Sequence, residues 1–155
     1  MKKRTNTSAK KEVVIRSRRA LQDFAKKFAA GLCGGEVIAL SGPLGAGKTT
    51  LAQFLGKALG VRERITSPTF TLMHLHPTNR QKIKLLAHLD AYRLGGARDL
   101  LAIGALDYLG RPDTVSVIEW GEKVRRALPK KIIWLEIAFG EKNNRLIKLK
   151  PGYGK

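Results

Sequence analysis

Residues 42–49 read Gly42-Pro43-Leu44-Gly45-Ala46-Gly47-Lys48-Thr49, which meets every fixed position of the pattern glycine, any four residues, glycine, lysine, serine or threonine. A loop that wraps a polyphosphate turns its amide N–H groups inward. That demands left-handed or closely approached backbone, so Gly42, Gly45 and Gly47 are the residue type required. A helix opening at Lys48 aims its positive end at the same anion. Lys48 then supplies a point charge to the outer phosphates, and the Thr49 hydroxyl is placed to ligate Mg2+. The pattern has this meaning only between a strand and a helix, and both signals are present. Glu36-Val37-Ile38-Ala39-Leu40-Ser41 is a short apolar run among glycines, as a buried parallel strand reads. Leu51, Phe54, Leu55, Ala58 and Leu59 mark a helix that stops at Gly60. The chain is expected to bind a nucleoside triphosphate on a β/α nucleotide fold.

The flanking sequence fits one domain. With 155 residues, 43% of them apolar, the chain is long enough for a core and too short for two ordinary domains. Residues 1–11 are polar and basic without periodicity and read as a flexible basic tail; residues 12–155 read as the single domain. From Ser17, an N-cap residue type, Leu21, Phe24, Ala25, Phe28 and Leu32 recur at helical spacing, with an end expected at Gly34-Gly35. Strands are expected at Phe70–Met73, Ile83–Leu89, Thr114–Ile118, Ile132–Ile137 and Arg145–Leu149, with a helix-and-loop region over Leu94–Leu109. The last strand alternates apolar and basic residues, as an antiparallel edge does. The expected architecture is therefore α/β, a three-layer sandwich with a mostly parallel central sheet and an antiparallel C-terminal edge.

Charge and cysteine content narrow the setting. Thirty Lys and Arg face twelve Asp and Glu, a formal net charge of +18, which attracts polyanions without specifying a fold. The single cysteine, Cys33, forms no internal disulfide, and its apolar, glycine-flanked setting reads as a small buried hydrophobe. No apolar run approaches the roughly twenty residues of a membrane span. The basic start runs into polar Thr5-Asn6-Thr7-Ser8 rather than an apolar segment, so no signal peptide is read. The expected location is the cytoplasm, with no membrane partner.

Two of the expected strands end in a carboxylate, at Asp90 and at Glu119. In a sheet of this kind the carboxyl ends of the strands face the ligand crevice, where an acid holds Mg2+ or orients the attacking water. An acid at a strand end is equally suited to capping a helix or to a surface turn, and His88, in an apolar strand, reads first as a satisfied core histidine. Tyr92 and Trp120 fit either packing or a site wall.

Taken together, Gly42 to Thr50, Ser67-Pro68-Thr69-Phe70, His88-Leu89-Asp90-Ala91-Tyr92-Arg93-Leu94 and Ile118-Glu119-Trp120, in this order, resemble the TsaE (YjeE) family of small bacterial P-loop ATPases over roughly residues 12–150. The resemblance implies binding of ATP with Mg2+ and action beside the TsaB–TsaD pair. That pair transfers threonylcarbamoyl to adenosine 37 of tRNA; the family member itself makes no transfer, and its ATP hydrolysis supports turnover. Residue by residue, it implies ATP contacts from Gly42, Pro43, Leu44, Gly45, Ala46, Gly47, Lys48, Thr49, Thr50, Ser67, Thr69 and Trp120. It implies catalytic roles for Lys48 and Asp90, and Mg2+ ligation by Thr49 and Glu119. Ser67-Pro68-Thr69 resembles the switch-like segment, and tRNA is expected to be met through the complex. This chain departs from the family pattern at His76, where a tyrosine is common, and around Arg18-Arg19-Ala20, where a threonine is expected.

The mechanism that follows is in-line attack of water on the γ-phosphoryl group, with Asp90 orienting or deprotonating the water and Glu119 holding the metal. No arginine finger is evident, so hydrolysis by the isolated chain is expected to be slow and to rise in a complex. A small-molecule or nucleoside kinase shares the loop, but no arginine-rich lid lies between the carboxylate strands. A nucleotide-gated RNA-binding module fits the charge, but the usual aromatic-basic RNA platforms are missing.

Overall fold

The computed structural model describes residues 11–151. A seven-stranded sheet runs in the order β1-β7-β6-β2-β5-β4-β3. Its strands are β1 (Lys11–Ile15), β2 (Val37–Ser41), β3 (Met73–Pro77), β4 (Leu85–Asp90), β5 (Thr114–Glu119), β6 (Ile133–Phe139) and β7 (Arg145–Pro151). The central strands β6, β2, β5 and β4 are parallel, whereas β3, β7 and β1 pair antiparallel. The α/β sandwich expected from the sequence is therefore present. The C-terminal strand β7 is antiparallel but lies one place in from the edge, because β1 pairs along its outer side. Val13 and Val14 of β1 are exposed, as one-sided edge pairing leaves them.

Every residue of β2 is buried, and its side chains alternate between two cores. Ile38 and Leu40 pack with Val115, Val117, Leu135 and Ile137 under α1 (Arg18–Ala30) and α2 (Lys48–Ala58), which contribute Leu21, Ala25, Ala29, Leu51 and Leu55. Val37 and Ala39 face the other way, with Ala87, Leu89 and Ile118, against Leu100 of α3 (Ala97–Ala102) and Val124 of the 3-10 segment Gly121–Ala127. Burial on both faces is why the β2 sequence is continuously apolar rather than alternating. Each fully buried Leu or Ile contributes about 1.5–3 kcal/mol of transfer free energy.

Several local expectations are corrected. The Ser17 hydroxyl accepts from Ala20 N–H and caps α1, but the helix ends at Gly31 and not at Gly34-Gly35. There the chain turns so that Glu36 accepts from the amides of Cys33 and Gly34, at 2.7 and 2.8 Å. This turn carries Cys33 to the surface, so it is an exposed thiol rather than a core residue. Phe70–Leu72 do not form a strand. Leu72 adopts φ 67° and donates its N–H to Pro68 O at 2.6 Å, so the segment is a turn and β3 begins only at Met73. Lys11, assigned to the tail, is the first residue of β1; the rest of the expected tail lies outside the described residues. Among the described residues, no helix is long and apolar enough to cross a membrane.

Candidate functional site

The parallel register sets Leu40 beside Glu119, and Asp90 beside Glu119. The carboxyl ends of β2, β4 and β5 therefore open side by side, and the glycine loop leaves β2 directly above them. A cleft of ≈ 360 Å³ sits there, lined by Leu44, Gly45, Gly47, Lys48, Thr49, Thr50, Ser67, Thr69, Asp90, Tyr92, Glu119 and Trp120. Most of the residues singled out from the sequence are thus brought together. The exceptions are Gly42, Pro43 and Ala46, which build the loop rather than line the cleft.

Gly42 has φ 139°, and a Cβ placed on it would fall on the carbonyl oxygen of Ile137, so the loop opens in tight contact with β6. Gly45 has φ 78° with open space where a Cβ would be, so its bare backbone faces the cleft. Ala46 is buried in the core below, and its carbonyl accepts from Arg145 Nε at 3.2 Å. Gly47 N-caps α2 without any side-chain cap, which leaves the first amides of an 11-residue helix directed at the cleft.

Lys48 is folded back over its own loop. Its ammonium donates to Gly42 O at 2.6 Å and Pro43 O at 2.9 Å, and lies 3.9 Å from the centre of the Trp120 ring. Burial holds Lys48 below the ordinary lysine pKa, against the opposing pull of Glu119, Glu122 and Asp90. Trp120 reaches this position because its backbone is left-handed, φ 58° and ψ 38°, which turns the chain sharply after Glu119. Such backbone is unusual for a bulky residue and clusters at functional sites. Tyr92 packs on Trp120 with ring centres 5.0 Å apart, and Lys123 covers Tyr92 at 4.6 Å while donating to its carbonyl at 2.7 Å.

The two acids are held differently. Glu119 is 2% exposed, and accepts from Thr49 Oγ1 through Oε2 and from His88 Nε2 through Oε1, each at 2.7 Å. Asp90 accepts from Tyr92 N–H through Oδ1 at 2.9 Å, and through Oδ2 from the hydroxyls of Thr69 at 3.2 Å and Ser67 at 3.4 Å. Those two hydroxyls also meet each other, at 2.7 Å. The Ser67-Pro68-Thr69 segment is therefore tied to the acid at the end of β4. His88 is a core residue as expected, but it is not satisfied: Nδ1 is buried without a partner. Arg93, for which spacing left several partners open, stacks its guanidinium over the exposed Phe70 ring at 4.7 Å. Tyr92 lines the cleft, and Lys123 supports it through its ring and carbonyl without lining the cleft itself. Lys123 escaped sequence reasoning because residues 121–127 show no apolar periodicity and bury only Gly121 and Val124.

A central parallel strand that passes through a glycine loop into a helix, with strand-end carboxylates facing the loop, defines the P-loop nucleotide-binding class of α/β proteins. The family model described as "Threonylcarbamoyl adenosine biosynthesis protein TsaE" matches residues 15–147. The tRNA threonylcarbamoyladenosine biosynthesis protein TsaE of Aquifex aeolicus is 36% identical over 141 residues, covering 90% of this chain and 95% of that protein. Its counterpart from Streptomyces coelicolor is 44% identical over 102 residues, 66% of this chain and 68% of its own length. The Mycobacterium bovis protein of the same name is 43% identical over 104 residues, and the match spans 62% of its length. Among solved structures, the crystal structure of Bacillus subtilis YdiB superposes with a TM-score of 0.70 at 26% identity, covering 92% of this chain and 86% of that one. The chain belongs to the TsaE family.

Proposed function

We propose that the cleft binds ATP with Mg2+ and hydrolyses it slowly, in the cytoplasm, as an accessory step in threonylcarbamoylation of adenosine 37 of tRNA by a TsaB–TsaD pair. The observation that carries this reading is the convergence of Lys48, Thr49, Asp90 and Glu119 on one cleft beneath a glycine loop. The donor set fits the metal. A threonine hydroxyl and a carboxylate oxygen, already 2.7 Å apart, are hard oxygen ligands of the kind Mg2+ takes, and Mg2+ draws the rest of its shell from phosphate and water. Thr49 and Glu119 would hold it. When bound, the ion neutralises charge that accumulates on the phosphate oxygens.

The chain's own groups do the remainder. The loop amides and the free amides at the start of α2 receive phosphate oxygens. Lys48 exchanges two carbonyl oxygens for phosphate oxygens without leaving the cleft, and Trp120 flanks it. Asp90, fixed at Oδ1 by Tyr92 N–H, orients a water toward the γ-phosphoryl and accepts its proton. Ser67 and Thr69, bonded to the same carboxylate, place the switch-like segment beside that event. No arginine reaches the position of a finger among the residues lining this cleft, which supports a low rate for the isolated protein.

The test is the steady-state rate of ATP hydrolysis by the protein alone and with TsaB and TsaD of the same organism, with Lys48→Ala as control. Acceleration by the pair of about 10-fold or more, lost in Lys48→Ala, is the expected result. A pair that leaves the rate unchanged overturns the partner-dependent reading.

A further inference from the structure

His88 is 0% exposed and lies in the middle of β4, on the sheet face that packs under α2. Around it are apolar neighbours: Leu86 on its own strand, and Val115 and Val117 on β5, all of the same core. An imidazole in such a place loses its hydration, and a leucine of similar volume would fill the space without that cost. The ring keeps one polar contact. Nε2 donates to Glu119 Oε1 at 2.7 Å, and Nδ1 has no partner. A histidine that serves only the core normally satisfies both nitrogens. Here the single bond is spent on one oxygen of one carboxylate.

That bond determines how Glu119 is presented. With Oε1 anchored by His88 from below, the carboxylate cannot rotate freely, and Oε2 is the oxygen left facing Thr49 and the cleft. We propose that His88 is a positioning residue that fixes the Glu119 carboxylate for Mg2+ without touching nucleotide or metal. The inference rests on the reading of Thr49 and Glu119 as the Mg2+ ligands. Partners of this outer kind orient the ligating group, and their loss typically weakens metal affinity by about 10- to 100-fold.

The experiment compares His88→Leu, which keeps the volume and removes the donor, with His88→Gln, whose amide nitrogen reaches the position of Nε2. Binding of a non-hydrolysable ATP analogue is followed by tryptophan emission, first without divalent cation and then as a function of MgCl2, with thermal unfolding curves recorded alongside. In the wild type, Mg2+ is expected to tighten binding. In His88→Leu, metal-free affinity is expected to stay within about 2-fold, while half-saturation by Mg2+ moves up by about 10-fold or more. His88→Gln is expected to recover most of that shift. A folded His88→Leu protein with wild-type Mg2+ dependence overturns the inference and leaves the site reading standing. A wild type indifferent to Mg2+ overturns the site reading itself. If His88→Leu fails to fold, His88→Asn replaces it: this shorter amide stops short of Glu119, and Mg2+ dependence equal to that of His88→Gln then overturns the proposal.

Discussion

Thr49 and Glu119 stand 70 positions apart in the chain, yet the Thr49 hydroxyl donates to Glu119 Oε2 at 2.7 Å. The contact joins the first turn of α2 to the last residue of β5, the two elements proposed to hold Mg2+. Thr49→Ala removes one proposed metal ligand and leaves Glu119 on His88 alone. The Mg2+ concentration for half-maximal hydrolysis is expected to rise by on the order of 10-fold or more, whereas Thr49→Ser stays within about 3-fold of wild type. A Mg2+ titration of the hydrolysis rate separates the two variants.

Asp90→Asn keeps an oxygen for the Tyr92 amide but places an amide nitrogen, a donor, where Oδ2 accepts from Ser67 and Thr69, and it removes the basic carboxylate. Hydrolysis in single-turnover assays is expected to fall by about 10²- to 10⁴-fold, as for loss of a general base. Affinity for the nucleotide, measured by equilibrium binding, is expected to change by no more than about 3-fold, because the phosphate contacts come from the loop and Lys48.

Lys48 makes the site sensitive to alkaline pH. Its pKa is lowered by burial, so the folded chain releases this proton before an unfolded one does. Between the folded value and the ordinary lysine value, stability contributed by this group therefore rises with pH, and the charge needed for phosphate is lost over the same window. Affinity for ADP is expected to decline at a lower pH than ordinary lysine titration would cause. Lys48→Arg, which stays charged, is expected to show a flat profile. Binding measured across the alkaline range decides the matter, and a wild-type profile as flat as the arginine variant's contradicts it.

Gly42 and Gly45 of the loop are expected to fail differently. Gly42→Ala drives a methyl into the Ile137 carbonyl and imposes a strained φ of 139°. A loss of about 3 kcal/mol or more is expected, seen as a melting temperature lower by roughly 6–12 °C. Gly45→Ala meets only open space at φ 78°, so about 1 kcal/mol and roughly 2–4 °C are expected. The nucleotide affinity of Gly45→Ala is nevertheless expected to drop, because the new methyl stands where the phosphates are proposed to lie.

The loop and the central strands were legible in the sequence for a physical reason: phosphate chemistry demands particular residue types at fixed spacing, and strands buried on both faces are continuously apolar. Asp90 and Glu119 were legible because each closes such a strand. Other features depend on partners distant in the chain or on dihedral angles. Phe70-Thr71-Leu72-Met73 has the composition of a strand, and nothing in the identity of Leu72 announces φ 67°. His88 looks like any core histidine until Glu119, 31 residues later, is seen at its Nε2. Cys33 reads as buried unless Glu36 is known to gather the amides before it and end the turn at the surface.

The contact between Gly42 and the Ile137 carbonyl makes one half of the sheet the anvil for a site in the other half. Strand β6 contributes no side chain to the cleft, yet it sets the height at which the glycine loop leaves the sheet. Residues along β6 therefore bear on the shape of the cleft as well as on folding. A repacking error there, far from any phosphate, is expected to register as a binding defect in a protein that still melts as one unit.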